Sequence, residues 1–168
     1  MANSHLKNNE MFFDAVIAAA KKAPKSEKDK GFIPFVEQLY KFAPAGDLKT
    51  YSPENLSAIA ENLFKFASSR PKGEPKIRVY NPEKKKNGWE SQYTTIEIVN
   101  DDMPFLVDSI TEELNKHDLK ISGLLHPVLS VKRDAKGQLK TAASLEHTKE
   151  ATDAESIIHI QISHISDA

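Results

Sequence analysis

Apolar residues recur along this chain with two different periods, and the change between them falls near Pro75. Before it, the spacing is that of helices. Met11, Phe12, Ala15, Val16, Ala19 and Ala20 form one stripe and predict an amphipathic helix that stops near Pro24. Phe32, Phe35, Val36, Leu39 and Tyr40 predict a second helix over 32–42, broken by Pro44, Gly46 and Asp47. Ser52-Pro53-Glu54 offers a capping hydroxyl, a proline at the first helical position and a carboxylate near the positive end of the dipole. The helix it opens is expected to run to about Ser69, with Leu56, Ile59, Ala60, Leu63, Phe64 and Ala67 as its stripe. Aromatic residues at these spacings are read as core packing, not as a cofactor box.

After Pro75 the apolar positions alternate, which is the period of half-buried strands. Ile77 and Val79 mark a short strand, and 81–91 is a loop carrying Lys84-Lys85-Lys86 and the single tryptophan, Trp89. Thr94 to Val99 places Ile96 and Ile98 on one face. The run Asn100-Asp101-Asp102-Met103-Pro104-Phe105-Leu106-Val107-Asp108-Ser109 then converts strand to helix. Asn100, Asp101 and Asp102 are expected to cap that helix and Pro104 to sit in its first turn. Met103, Leu106, Val107, Ile110 and Leu114 form its stripe, and His117-Asp118 closes it. Extended chain follows over 119–132, interrupted by His126-Pro127, because proline lacks a ladder donor. Asp134 to Gly137 reads as a tight turn, 138–142 as a weak return strand and 144–155 as loop. The last strand, 157–165, sets Ile158, Ile160 and Ile162 on one face and His159, Gln161 and Ser163 on the other. Ser166-Asp167 is helix-starting chemistry at the very end, so the chain is expected to be a piece of a longer protein.

This order implies an α+β fold: N-terminal helices, then an antiparallel sheet of the ferredoxin-like kind with helices packed on one face. Helix 53–69 and strand 76–80 are expected to replace the missing second helix and last strand of that unit. The expected sheet order is 76–80, 93–99, 157–165, 119–132. Two regions follow, a helical segment with linker over 1–52 and the α+β domain over 53–168.

Composition narrows the function. Lys+Arg 23 against Asp+Glu 24 gives a net charge of -1, which speaks against a dedicated nucleic-acid binder. A ferredoxin-like RNA-binding domain, an alternative on fold grounds, needs sheet-face aromatics that 94–98 and 157–165 lack. The absence of cysteine removes disulfides and thiolate metal sites. No apolar run approaches a membrane span, and the polar start lacks the order of a signal peptide, so a cytoplasmic protein is expected. Neither a dinucleotide fingerprint, a P-loop, a zinc-protease helix nor a nucleophile elbow occurs, and catalysis by this chain is not expected. The histidines are scattered, and His126 has no carboxylate near it in sequence. Asp101, Asp102 and Asp108 are a conceivable cation cluster, but no metal is expected. One place suits a small anion such as an amino-acid carboxylate, the helix start after Asn100. The opposing reading is that Asp101 and Asp102 already satisfy those amides and repel an anion.

The blocks Val99-Asn-Asp-Asp-Met-Pro-Phe-Leu-Val-Asp-Ser-Ile110 and Leu124-Leu-His-Pro-Val-Leu-Ser-Val-Lys-Arg-Asp134 resemble the N-terminal region of large bacterial NAD-specific glutamate dehydrogenases. The similarity takes in 40–48, 70–82, 88–91 and 155–160, and covers roughly 32–163. The resemblance implies ACT-like modules, ferredoxin-like domains that often bind amino acids and regulate an attached enzyme. It also implies that the whole protein oxidatively deaminates L-glutamate to 2-oxoglutarate and ammonia with NAD. This chain would then hold no cofactor itself and would have downstream dehydrogenase domains, other copies of the chain and an amino-acid effector as its candidate partners. A stand-alone amino-acid-binding ACT module is the alternative. Asp102-Met-Pro-Phe-Leu-Val is similar to the Asp-x-Pro-Gly-Leu-Leu turn of amino-acid-binding ACT domains, with Phe105 where those have Gly. The resemblance thus points to Asn100, Asp101, Asp102, Pro104, Phe105, Asp108, Ser109 and His126 as an effector or interface turn. Phe105 is expected to fill the space a ligand would take, which favours packing or an interface.

Overall fold

The computed structural model describes residues 2–22, 31–144 and 153–166. Its helical part comprises α1 (Ala2–Lys22), α2 (Phe32–Tyr40), the single turn α3 (Ala45–Leu48) and α4 (Pro53–Ala67). Ser52 caps α4 as its sequence predicts, its hydroxyl accepting from the Asn55 amide at 3.2 Å. The other end of α4 is closed from a distance. Lys76 Nζ donates to the carbonyls of Phe66 and Ser69 at 2.7 and 2.8 Å, and Arg133 donates to that of Ala67 at 2.9 Å.

Strands β1 (Lys76–Tyr80), β2 (Thr94–Asp101), β3 (Ile121–Leu125), β4 (Val128–Arg133), β5 (Leu139–Ser144) and β6 (Asp153–Ile162) form one antiparallel sheet. A short helix α5 (Lys84–Asn87) lies in the loop after β1, and α6 (Leu106–Lys116) joins β2 to β3. The order is β1-β2-β6-β4-β5, with β3 beside β6 as well. β3 and β4 occupy successive stretches of the same edge of β6. Pro127 stands between them, and its carbonyl keeps the ladder going by accepting from Ile157 N at 3.0 Å. The expected strand order therefore holds, with β5 added at the far edge. The turn before β5 is the tight one expected. Gly137 has φ +75, and a Cβ there would lie 2.2 Å from the Arg70 carbonyl oxygen. Of the expected loop over 144–155, Ser144 and 153–155 are strand instead, and the rest lies outside the described residues.

The α+β class is as read from the sequence, and the helices do pack against the sheet. They are, however, shared between its two faces instead of gathered on one. Val99, Ile157, Leu129, Val131 and Ala142 face α1, α2 and α4, together with Trp89, in the larger core. Ile96, Ile98, Ile158, Ile160 and Ile162 face the opposite way, against the Leu106, Val107, Ile110 and Leu114 stripe of α6. Strand β1 thus takes the expected edge position, but α4 lies across the sheet from α6 and does not stand in for a second helix beside it. The reason is visible in the strands. Both faces of β2 and β6 are buried, so a polar face in the alternation is not a wet one.

The face toward α4 buries charge. Arg78, Glu97 and His159 stand directly opposite one another on β1, β2 and β6. Glu97 is 0% exposed. Its Oε2 accepts from Arg78 Nε at 2.6 Å, and its Oε1 accepts from the Tyr80 hydroxyl at 3.0 Å and lies 3.1 Å from His159 Nδ1. Arg78 also reaches Asn62 of α4 and lies 4.4 Å over the Phe66 ring. Trp89, fully buried, roofs the group, its ring 5.9 Å from His159 and 6.4 Å from Tyr80. Burial alone would raise the Glu97 pKa, but the bond and charge from His159 and Arg78 outweigh it and hold it below its ordinary 4.5.

A carboxylate with a depressed folded pKa lends stability above its unfolded value and loses it as pH falls through the folded one. Glu97→Gln should cost about 3 kcal/mol at neutral pH, because it strands a half-buried guanidinium and a buried imidazole. Chemical denaturation from pH 7 to 3 checks this: the variant's stability should depend less steeply on pH below 4.5 than the parent's. Equal slopes would show that Glu97 is not the group that couples folding to acid.

Candidate functional site

The turn from β2 into α6 is built differently from a capped helix start. Asn100 and Asp101 are still strand, opposite Ser156 and Glu155 of β6. The Asp102 amide extends the ladder by donating to the Ala154 carbonyl at 2.9 Å. The chain then rises over the sheet through Met103 and Pro104, and the helix begins only at Leu106. Phe105 takes the capping position with φ 62, in the left-handed region, and makes no side-chain cap bond. Asp101 and Asp102 therefore do not cap α6, and Pro104 precedes it. The reading in which those two carboxylates satisfy the first-turn amides is overturned by where each is held.

Asp101 pairs with Arg70, a guanidinium buried in the join between α4 and the sheet. Arg70 also donates to Glu155 Oε1 at 2.8 Å, and Arg133 clasps both oxygens of Glu155, each at 2.8 Å. Desolvation opposes the Arg70 charge, yet its bonds to Glu155 and Asp101 raise its pKa further. Asp102 belongs to a separate group. Its Oδ1 accepts from the Ser156 hydroxyl at 2.6 Å, and Ser156 Oγ lies 3.0 Å from His126 Nε2. The hydroxyl has one proton and gives it to Asp102, so His126 presents N–H at Nε2. His126, with no acidic neighbour in sequence, is thus linked to a carboxylate through a third residue. Burial lowers its pKa from 6.5, partly opposed by the Asp102 charge.

The remaining singled-out residues do not converge on these groups. Asp108 is exposed in the first turn of α6, where its charge suits the helix dipole, and Ser109 is exposed beside it. Among the described residues there is no cluster of three or more His, Asp or Glu able to hold a metal ion. Phe105 does not fill a ligand space, since its side chain is 76% exposed. Met103 is exposed next to it. Sequence reasoning missed Arg70, Arg133, Glu155 and Ser156, which anchor the turn. Only Glu155 and Ser156 left a trace, as polar residues just ahead of the alternating isoleucines.

The turn is a projection, and concavity lies elsewhere. A cleft of about 400 Å³ opens near the start of β2, lined in part by Thr50, Gln92, Tyr93 and Ser122. The Tyr51 hydroxyl donates to Gln161 Oε1 at 2.7 Å at its wall. None of the turn residues lines it.

Residues 35–168 match the family described as glutamate dehydrogenase, ACT1 domain. The chain belongs to that family. It is 32% identical over 134 residues to the NAD-specific glutamate dehydrogenase of Pseudomonas aeruginosa, covering 80% of this chain and 8% of that protein. With the NAD-specific glutamate dehydrogenase of Halomonas elongata it shares 33% identity over 133 residues, 79% of this chain and 8% of that protein. The ACT1 chain therefore spans about 8% of the length of the curated relatives it matches. No solved structure matches it.

Two measurements follow from the ACT1 turn. A non-glycine residue held left-handed costs on the order of 1 kcal/mol, and an exposed Phe105 returns little burial for it. Phe105→Gly should raise unfolding stability by about 0.5 to 1 kcal/mol in urea. A loss of stability would mean that the ring has packing partners. His126 favours its neutral form in the folded state, so the unfolded chain takes up more protons below pH 6.5. Stability should fall as pH drops from 7 towards 5. His126→Gln, which keeps a donor for Ser156 but does not titrate, should flatten that slope.

Proposed function

We propose that this ACT1 domain is a regulatory and assembly module of an NAD-dependent glutamate dehydrogenase. The whole enzyme would oxidatively deaminate L-glutamate to 2-oxoglutarate and ammonia. The reacting groups and the NAD site would belong to other domains of the same polypeptide, and this chain would govern how they or neighbouring subunits come together. Support comes from the family, from the names of the relatives and from one feature of the turn. That feature is Phe105, a large apolar side chain standing in water on a strained backbone. Strain of this kind persists where surroundings over-determine it, and here two separate polar groups pin the turn from below. An apolar projection held this firmly suits contact with a protein surface better than capture of a small molecule. The carboxylates beneath it are already engaged, so the contact would be made by Phe105 and Met103.

Sedimentation of the parent and Phe105→Ser at several concentrations tests this, alone and mixed with the remaining domains of the enzyme. Association that weakens at least tenfold in the variant is the expected result. A thermal-shift panel of amino acids serves as the contrary arm. A rise of several degrees with one amino acid, with no association at any concentration, would replace assembly by effector sensing.

A further inference from the structure

The two ends of β2 are finished differently. At its Asp101 end the polar groups are paired, as described for the turn. At its Thr94 end lies the cleft of about 400 Å³. Three stretches wall it. Thr50 and Tyr51 come from the link between α3 and α4, Gln92 and Tyr93 lead into β2, and Ser122 and Gly123 belong to β3. Gln161, near the end of β6, forms the buried part of the wall.

Gln161 is only 6% exposed. Its Oε1 is taken by the Tyr51 hydroxyl, while its Nε2 donates to no atom among the described residues. Thr95 stands directly opposite it on β2, fully buried, and the Thr95 hydroxyl also lacks a partner. Buried donors are nearly always paired, so a carboxamide N–H left over in the wall of a cleft marks a place for an acceptor.

Charge limits what that acceptor can be. None of the described residues lining the cleft is Asp, Glu, Lys, Arg or His; hydroxyls, carboxamides and two tyrosine rings take their place. An amino-acid zwitterion would bring a carboxylate and an ammonium group to walls with a counter-charge for neither, and burying unpaired charge is costly. An uncharged carbonyl meets Gln161 Nε2 without that cost.

The space also has an apolar extension. Tyr51, Gly123 and Gln161 line both the cleft and a recess of about 50 Å³, whose other walls include Leu48, Leu56, Ile59 and Leu124. A dry cavity of about 150 Å³ holds benzene, so this recess has room for about two or three carbons. A Cβ on Gly123 would lie 3.7 Å from Gln161 Oε1, in the stretch that the two spaces share.

We propose that this cleft binds a small uncharged carbonyl compound with a short aliphatic end. The carbonyl oxygen accepts from Gln161 Nε2, and the aliphatic end enters the recess. Bound there, the ligand bridges the link between α3 and α4 to β3 and so ties the helical layer to the sheet. The site shares no residue with the turn between β2 and α6, and it goes beyond the assembly role proposed above, which does not depend on it.

Isobutyramide is the probe, since it joins an uncharged carbonyl to a branched aliphatic end. Isobutyrate and isobutylamine carry a similar end with a negative or a positive charge. Each is titrated into the isotope-labelled 168-residue chain, and the side-chain N–H pair of Gln161 is followed by proton–nitrogen NMR. With isobutyramide a saturable shift of that pair, half complete in the millimolar range, is expected. Binding of either charged analogue should be at least tenfold weaker. Gly123→Val suits a strand and fills the shared stretch, so it should abolish the shift while the backbone amides keep their folded positions. Should valine disturb the fold, Gly123→Ala serves instead, with weakened binding as the expected result. A titration with isobutyramide that does not saturate overturns the proposal. Equal binding of isobutyrate does so too, as does a shift that survives unchanged in a folded Gly123 variant. None of these results bears on the association measured with Phe105→Ser.

Discussion

Everything in this fold is registered against one buried carboxylate. Glu97 has Arg78 on one side and His159 on the other, each on the neighbouring strand at the same level. A slip of one residue between β2 and β6 would bring an isoleucine opposite Glu97 or His159, and a slip of β1 would carry Arg78 away from Glu97. Such an error takes the partners from a buried carboxylate and a buried imidazole, which costs far more than any single hydrophobic mismatch. The row therefore acts as a register pin across β1, β2 and β6. It also decides which face is which. With Glu97, His159 and Gln161 committed to the α4 side, Ile96, Ile98, Ile158, Ile160 and Ile162 are left to α6.

A second ionic group sits at the other end of the same strands and ties the helical layer to the sheet. Arg70 follows α4, Arg133 ends β4, and both converge on Glu155 at the start of β6. The close approach of Gly137 to the Arg70 carbonyl belongs to this join, with Arg70 N donating to Gly137 O at 2.9 Å and Arg133 donating to the same oxygen at 3.0 Å. Two cations against Glu155 alone would leave positive charge buried. Asp101 supplies the second carboxylate, and this is why it is turned down toward the sheet rather than up toward the helix start. The electrostatics of the interior thus shape the surface turn, leaving α6 to begin after Phe105 without an acidic cap.

Legibility in the sequence followed the range of the interactions. The Ser52 cap of α4, the stripe of α6, the interruption at His126-Pro127 and the Gly137 turn are local chemistry, and each stands where its residues place it. The strand order was legible because apolar alternation and one known layout constrain it together. The sharing of helices between two faces was not. His159 and Gln161 look like a wet face when read alone, and only the distant Glu97 and Tyr51 make them a buried one. In the same way Asp101 and Asp102 carry strong local signals for capping, and partners 31 and 54 residues away overrode them. Polar residues with good local uses are where a sequence reading of this chain fails, because a buried long-range partner outbids a local one whenever desolvation is at stake.

Family membership and geometry then bear on different questions. The match to ACT1 domains says what kind of enzyme such a module accompanies, whereas the turn says what this copy of the module presents. Glycine at position 105 would be at ease with φ 62 and would leave the backbone bare to an approaching ligand. Phenylalanine there accepts strain and sends a ring into water. The cost is bearable because Asp101 and Asp102 hold the preceding backbone through buried partners, so the turn cannot relax by shifting along the sheet. A site that spends stability in this way has its charges facing inward and its apolar surface facing outward. That is the polarity of an interface and the reverse of an anion cradle, whose donors must face the solvent from which the ligand arrives.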